Sequence, residues 1–463
     1  MSGGSRELDR AALEARAHEL AARMTARGVE LVALVWVDNS GITRTKAVPL
    51  HRLAAVAAWG VGASCSFDFF LFNDDLITGE YSSGAVGDLR LYPDLERLTA
   101  LSAQPGWAWA PADRYDQEGV VHPQDQRSLA KAAAERLAER GYTAKLAFEV
   151  EWIITAESAP DDITSAVSGP GYGYARLSRH SDYLLALVSA LEGQRITVEQ
   201  IHPEYAAGQF ELSVAASDPV GAADTYVLVR ETIRAVSRQH GLRASFTPRF
   251  AGEGVGNGGH VHLSVWDGEI NVYAGGDRRF GMTGVAESFS AGILGRLPAL
   301  LAVGAPSVVS YLRLEPHHWV GVYGVWGLEN REAPLRFVTG SVGEQAKAAN
   351  LEVKCFDQTA NPYLVVAALL FAGLAGLDES GTLPEPVDVD PGTLPEDERR
   401  RLGIDRLPTN LLDAVTAFEA DTVLAESFGA PLATTLMDIR KAEAALFAGA
   451  TAEEIARAMR WTH

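Results

Sequence analysis

Residues 351–374 read LEVKCFDQTANPYLVVAALLFAGL. The stretch opens as a strand. Glu352 and Lys354 share one face and Val353 and Cys355 the other, because alternate residues of an extended chain point the same way. It closes as ANPYL followed by an Ala- and Leu-rich helix.

Three earlier segments share the design of that strand. In KLAFEVEWII, Glu149 and Glu151 lie on one face and Phe148, Val150 and Trp152 on the other. In AGQFELSV, Glu211 shares a face with Gln209 and Ser213, against Phe210, Leu212 and Val214. In GGHVHLSVW, His260, His262 and Ser264 oppose Val261, Leu263 and Val265. Antiparallel sheets commonly wet one face, so one polar face alone says little. Here the polar faces are dominated by acids and histidine, and Glu204 adds another carboxylate. Glutamates gathered on facing strands repel unless cations sit among them.

Carboxylates with an occasional imidazole suit Mg²⁺ or Mn²⁺. The absence of cysteine ligands argues against structural zinc. A pair of hard cations is a recurrent solution for phosphoryl transfer, where positioning and charge neutralisation dominate. Arginine is the expected complement, because its guanidinium fork grips phosphate and carboxylate at two points. SYLRLEPHHW and GLENREAPLRFV supply Arg313, Arg331 and Arg336.

The rest of the chain frames these segments. Residues 5–27 are helix-favouring, and ELVALVWVD, a turn at Asn39-Ser40-Gly41 and ITRTKAV predict a hairpin. A turn-rich region runs through 73–118, punctuated by Pro93, Pro105 and Pro111. The texture changes near Val120, which places a domain boundary at about residue 118. Residues 378–400 are acidic and Pro-rich and read as a surface loop or flap. Helices are expected near 410–425, 438–447 and 451–461. The chain has 463 residues, is 47% hydrophobic and carries a formal charge of -20. The charge disfavours nucleic acid and anionic membranes as partners. No stretch approaches the ~20 uncharged apolar residues of a membrane span. A charged N-terminus without an apolar signal core reads as cytoplasmic. Cys65 and Cys355 offer no disulfide framework.

Taken in order, these segments resemble the glutamine synthetase family. Its paired glutamates look like Glu149-Val150-Glu151, and its HHE…AGQ-x-E segment like IHPEYAAGQFELSV. HVHLS, SYLRLEP, ENREAPLRF and LEVKCFDQTANPYL match further motifs. The resemblance implies an α+β fold: a small N-terminal β-grasp domain over 1–118 and a catalytic domain over 119–463, built on a curved antiparallel sheet with helices. It implies that Glu151, Glu204 and Glu211 hold one metal and Glu149, His260 and Glu352 a second. It places Glu199, His262, Ser264, Trp266, Arg336 and Lys347 at ATP. Gly256, Arg313 and Arg331 fall at glutamate or the transferred phosphoryl group, with Arg331 catalytic. Family members stack as rings with sites shared between subunits, so a homo-dodecamer is expected.

Departures bear on the substrate. Phe67-Asp68 preserves only part of the family's ammonium loop, and Asp68, or failing it His317 or His318, is the candidate acceptor of the amine's proton. The flap glutamate's position is Trp319, and the arginine after the Glu-Val pair is Lys354. Both are expected at the substrate. These changes resemble the actinobacterial γ-glutamyl-amine ligases. With few acids in SCSFDFFLF or EPHHWVGVYG, ethanolamine is favoured, with a polyamine or ammonia as alternatives. Rival readings are a catalytically dead sensor of this fold and a guanidino-phosphotransferase-like kinase.

Overall fold

A computed structural model describes residues 9–82, 84–162 and 169–463. The first helix spans Arg10–Thr25, with Asp9 accepting the Ala12 amide as its cap. The part of the expected helix over residues 5–8 lies outside the described residues.

Leu31–Val37 and Thr43–Pro49 form the expected hairpin, paired Val35 to Thr45. Asp38 shapes its turn by accepting the amides of Ser40 and Ile42 at 3.0 and 2.9 Å. Gly41 adopts φ +77, and a Cβ there would meet the Thr359 carbonyl oxygen at 2.0 Å. The hairpin tip is thus pressed against the segment that opens ANPYL. Asn361 completes the joint. Its side-chain oxygen caps the helix Pro362–Asp378 through the Tyr363 and Leu364 amides, and its amide nitrogen donates to the carbonyls of Val37 and Asp38. One side chain starts the core helix and pins the small domain to it.

The turn-rich reading of 73–118 needs correction. It contains the strands Asp88–Pro93, Thr99–Ala100 and Trp107–Tyr115. With Thr43–Pro49, Leu31–Val37 and Val61–Ser64 they make a six-stranded sheet. Pro111 lies inside a strand, where sequence alone argues against one. It falls where the pairing partner changes. Residues 108 and 109 pair with Thr99–Ala100, whereas residues 112–115 pair with Asp88–Pro93. A missing N–H costs little at such a hand-over.

KLAFEVEWII is not one strand. Thr143–Phe148 pairs with Val261–Asp267, and Val150–Ala156 pairs with Gln209–Val214 in a different sheet. The break is at Glu149, whose amide donates to the His260 carbonyl at 2.9 Å. One sheet runs Leu242–Ser245, Val150–Ala156, Gln209–Val214, Val198–Pro203. The other runs Ile270–Asn271, Val261–Asp267, Asn350–Val353, Leu335–Val338, Trp326–Leu328. Together they give the curved, mostly antiparallel catalytic sheet. Within each sheet the acid- and histidine-bearing strands are register neighbours.

Helix Pro362–Asp378 packs against Gly284–Gly304 and Gln126–Glu139. Gly292 and Gly376 permit the close approach of the first pair, since a Cβ on Gly292 would meet the Gly376 nitrogen at 2.6 Å. Gly284–Gly304 is long and apolar enough to cross a membrane by composition, yet it carries Glu287 and Arg296 and is largely buried in the core. The 378–400 segment is stitched down, with Val387 N donating to Trp326 O and Asn330 Nδ2 to Val387 O. The C-terminal helices are Leu411–Ala420, Thr422–Phe428, Ala430–Leu446 and Ala452–Met459, so the expected 438–447 piece belongs to a longer helix.

Candidate active site

A cavity of about 670 Å³ opens where the two catalytic sheets meet. Glu149, Glu151, Glu204, Glu211, His260 and Glu352 all line it, as do Gly256, Arg313, Arg331, Arg336, Lys354, His262 and Trp319.

Sheet register brings the acids together. Glu211 pairs directly with Glu151 across adjacent strands, and Glu352 pairs with both His262 and Arg336. Glu151 accepts the Gln209 side-chain amide at 2.8 Å and the Gly258 N–H at 2.9 Å. Burial and the Glu211 charge still push the Glu151 carboxyl up to about 8, against the pull of Arg313. Burial also pushes Glu211 up to about 7, although His202 pulls it down. Arg313 and His202 do not offset burial and the mutual repulsion of these two adjacent carboxyls.

The other half of the floor is partly compensated. Glu352 is held down at about 2; burial opposes this, but Lys354, His262 and His260 prevail. Lys354 donates to its Oε1 at 3.1 Å and Arg336 to its Oε2 at 3.0 Å. Burial would raise Glu149, but His260 and His262 hold it well below the usual range. Arg313 can only donate, so its 3.1 Å contact makes His260 Nε2 an acceptor and leaves Nδ1 to donate to Glu149 at 2.7 Å. Burial and Lys354 push His260 down to about 4, against the pull of Glu149 and Glu352.

Among the described residues, donor atoms cluster within 4.8 Å in three groups: Glu149, Glu151 and His260; Glu149, His262 and Glu352; His202, Glu204 and Glu211. An oxygen-rich set with single imidazoles fits Mg²⁺ or Mn²⁺. The raised carboxyls of Glu151 and Glu211 are what hard cations would relieve. The grouping differs from the expectation. Glu204 gathers with His202, and His262 joins the donors. His202 was missed, although it lies two residues before Glu204, near the end of strand Val198–Pro203. It contacts Glu211 at 3.2 Å, and that bond raises it to about 9. Tyr172 was also missed. It donates to Glu204 and stacks on His202 with centroids 5.4 Å apart.

Other expected residues lie elsewhere. Glu199 and Lys347 are exposed and do not line the cavity. Ser264 and Trp266 are buried beyond it; Trp266 Nε1 donates to Ser264 Oγ at 2.9 Å, and the Lys145 ammonium sits 3.8 Å over the indole. Of the residues expected at ATP, this chain's own cavity takes in His262 and Arg336.

Asp68 does not line this chain's own cavity. It is fully buried outside it, accepting from Arg114 and paired with His122 Nε2 at 2.7 Å. Burial pushes its carboxyl up, but Arg114 and His122 prevail and hold it below the usual carboxylate range. The fallback residues His317 and His318 do line the cavity.

The rim is strained. Tyr172, His317 and Trp319 adopt φ of 56, 65 and 57, a region unfavourable for residues with side chains. The Trp319 amide donates to Glu332 at 2.9 Å, and His317 Nδ1 pairs with Asp390 at 2.6 Å. The indole is 55% exposed, presented to the cavity rather than packed in the core.

The glutamine synthetase catalytic domain matches residues 123–458, and the glutamine synthetase N-terminal domain matches 16–123. A gamma-glutamylpolyamine synthetase of Streptomyces coelicolor is 51% identical over 450 residues, 97% of each chain. A glutamine synthetase of Halobacterium salinarum is 31% identical over 437 residues, covering 92% of this chain and 93% of that one. A solved structure described as a novel glutamine synthase homolog superposes with a TM-score of 0.84 at 32% identity, covering 94% of this chain and 99% of that one. With both domains matched in order and the acidic floor in place, the chain belongs to the glutamine synthetase family of carbon–nitrogen ligases.

Proposed function

We propose that this chain joins an organic amine to the γ-carboxylate of glutamate at the expense of ATP, and that the amine is a polyamine. A carboxylate is a poor electrophile. Its oxygen attacks the γ-phosphorus of ATP, ADP leaves, and the γ-glutamyl phosphate so formed carries a good leaving group. The amine nitrogen then attacks the acyl carbon, phosphate departs, and the nitrogen gives up a proton.

Glu149, Glu151, Glu204, Glu211, His260 and Glu352, with His202 and His262 beside them, would hold divalent cations. Bound Mg²⁺ or Mn²⁺ supplies neutralisation of the phosphoryl charge. Arg313, Arg331 and Lys354 bind and orient glutamate and the transferred group. Arg336 meets developing negative charge on that group. Lys354 offers a point charge where arginine would give a two-point grip, so a modest glutamate affinity is expected. His317 or His318 takes the proton from the amine.

The observation that carries this reading is a single cavity in which the acidic floor, Arg313, Arg331 and the exposed Trp319 converge. An indole gives ammonium no carboxylate partner, but its face attracts an alkylammonium. The sequence favoured ethanolamine because acids were few near the rim. The fold adds Asp390 and Glu332 from distant segments, and the 51% identical relative is named for polyamines. Both support the larger cation.

The test is ATP-dependent phosphate release with glutamate against spermidine, putrescine, ethanolamine, methylamine and ammonium, with products identified by mass spectrometry. The polyamines should turn over fastest. Preference for ammonium at equal concentration would instead favour an ordinary glutamine synthetase, the activity named for the 31% identical relative. Methionine sulfoximine should inhibit if glutamate is the acid. Light scattering tests the accompanying proposal of a dodecamer with sites between subunits.

A further inference from the structure

The loop that carries Gly254, Val255 and Gly256 into the cavity is held from behind by the end of the chain. Glu453, in the first turn of helix Ala452–Met459, accepts the Gly252 N–H at 2.8 Å. Arg460, just past that helix, is 5% exposed. Its Nε donates to the Phe250 carbonyl at 2.9 Å, and its guanidinium lies 4.5 Å from the centre of the Phe250 ring. Nη1 donates to Asp161 at 2.7 Å. Arg249, adjoining Phe250, donates to the Leu312 carbonyl and reaches Glu315 at 2.8 Å, beside the cavity residue Arg313.

We propose that Glu453 and Arg460 are positioning residues for the glutamate-binding loop, fixing Phe250–Gly256 to the helix Ala452–Met459 and to Asp161 from a site that touches no substrate. The physical reason lies in the loop's own composition. AGEGVG carries glycines at 252, 254 and 256, so its backbone has little stiffness of its own. Gly256 cannot gain any, because a Cβ there would meet the Pro248 carbonyl oxygen at 1.7 Å. Its geometry must therefore be imposed from outside. A planar guanidinium that bonds two segments at once, with a carboxylate on the intervening amide, imposes it. The proposal rests on the reading of Gly256 as a glutamate contact.

Glu453 is half exposed, so Glu453→Ala should leave folding intact. It should raise KM for glutamate roughly five- to tenfold, the scale of about one ordinary hydrogen bond, with kcat and KM for ATP within about twofold. Amide exchange in residues 249–258 should accelerate in the same variant. Arg460→Lys should show the same KM effect, because an ammonium cannot bond Phe250 and Asp161 in one plane. Unchanged exchange in the loop overturns the clamp. Faster exchange with unchanged glutamate KM overturns its role at the substrate. If wild type uses no glutamate with any amine, the functional reading falls, while the exchange experiment still decides whether the clamp exists.

Discussion

Two of the buried carboxylate clusters in this molecule are treated in opposite ways. Around Asp68 the chain provides its own cations. Arg114 bonds Asp68, Asp125 and the Gln126 side chain, and His122 covers the other Asp68 oxygen. Asp68 ends below the usual carboxylate range. Around Glu151 and Glu211 the chain brings acids into direct register and pushes their carboxyls up to about 8 and about 7. The first cluster is complete as it stands and ties the small domain to the start of helix Gln126–Glu139. The second is electrostatically unfinished, which is the mark of a site built for an incoming cation.

The largest expected effect comes from the unfinished cluster. Glu151→Gln should lower ATP turnover roughly 10³-fold or more, the scale of losing a preorganised charge partner. Melting temperature without divalent metal should stay the same or rise for Glu151→Gln, because a repelling charge is gone. Near-normal turnover at modest Mg²⁺ would break the comparison at its centre.

Next comes the finished cluster. Asp68→Asn leaves Arg114 buried with less counter-charge and should cost roughly 3–5 kcal/mol by urea unfolding, the usual penalty for breaking a buried pair. The pH sign follows from the depressed carboxyl. Its stabilisation is present above the unfolded value of about 3.9 and fades as pH falls through the lower folded value. The gap between wild type and Asp68→Asn should therefore narrow towards pH 3 and below. A constant gap would mean that Asp68 acts through packing.

Metal sharpens the contrast. Mg²⁺ or Mn²⁺ at about a hundred times Kd should stabilise wild type by about 2.7 kcal/mol. Asp68→Asn should keep that increment and Glu151→Gln should lose most of it. Equal responses from both variants would show that the cation binds elsewhere.

The smallest effect tests the rim. Trp319→Glu should shift preference from an organic amine towards ammonium by roughly tenfold, since each buried CH₂ contributes about 0.8 kcal/mol and the carboxylate restores a partner for NH₄⁺. The ratio of turnovers at equal amine concentrations measures it. No shift would reduce Trp319 to a loop-ordering residue.

Sequence by itself determined the acidic floor. Strand periodicity is local, so residues two apart must share a face wherever the chain is extended. This marked Glu149, Glu151, Glu211, His260, His262 and Glu352 without any knowledge of pairing. ANPYL likewise announced the core helix, because Asn361 caps it from within the same few residues. Only the tertiary structure decided what depends on distant partners. It broke KLAFEVEWII at Glu149 between two sheets, brought His202 to Glu211, and set Pro111 where a strand changes neighbours. It also withdrew Asp68 from this chain's cavity, because the answering charge on Arg114 lies 46 residues away in sequence. Spacing along the chain fixes which way a side chain points; what it meets there is set by long-range register and burial, which no local pattern encodes.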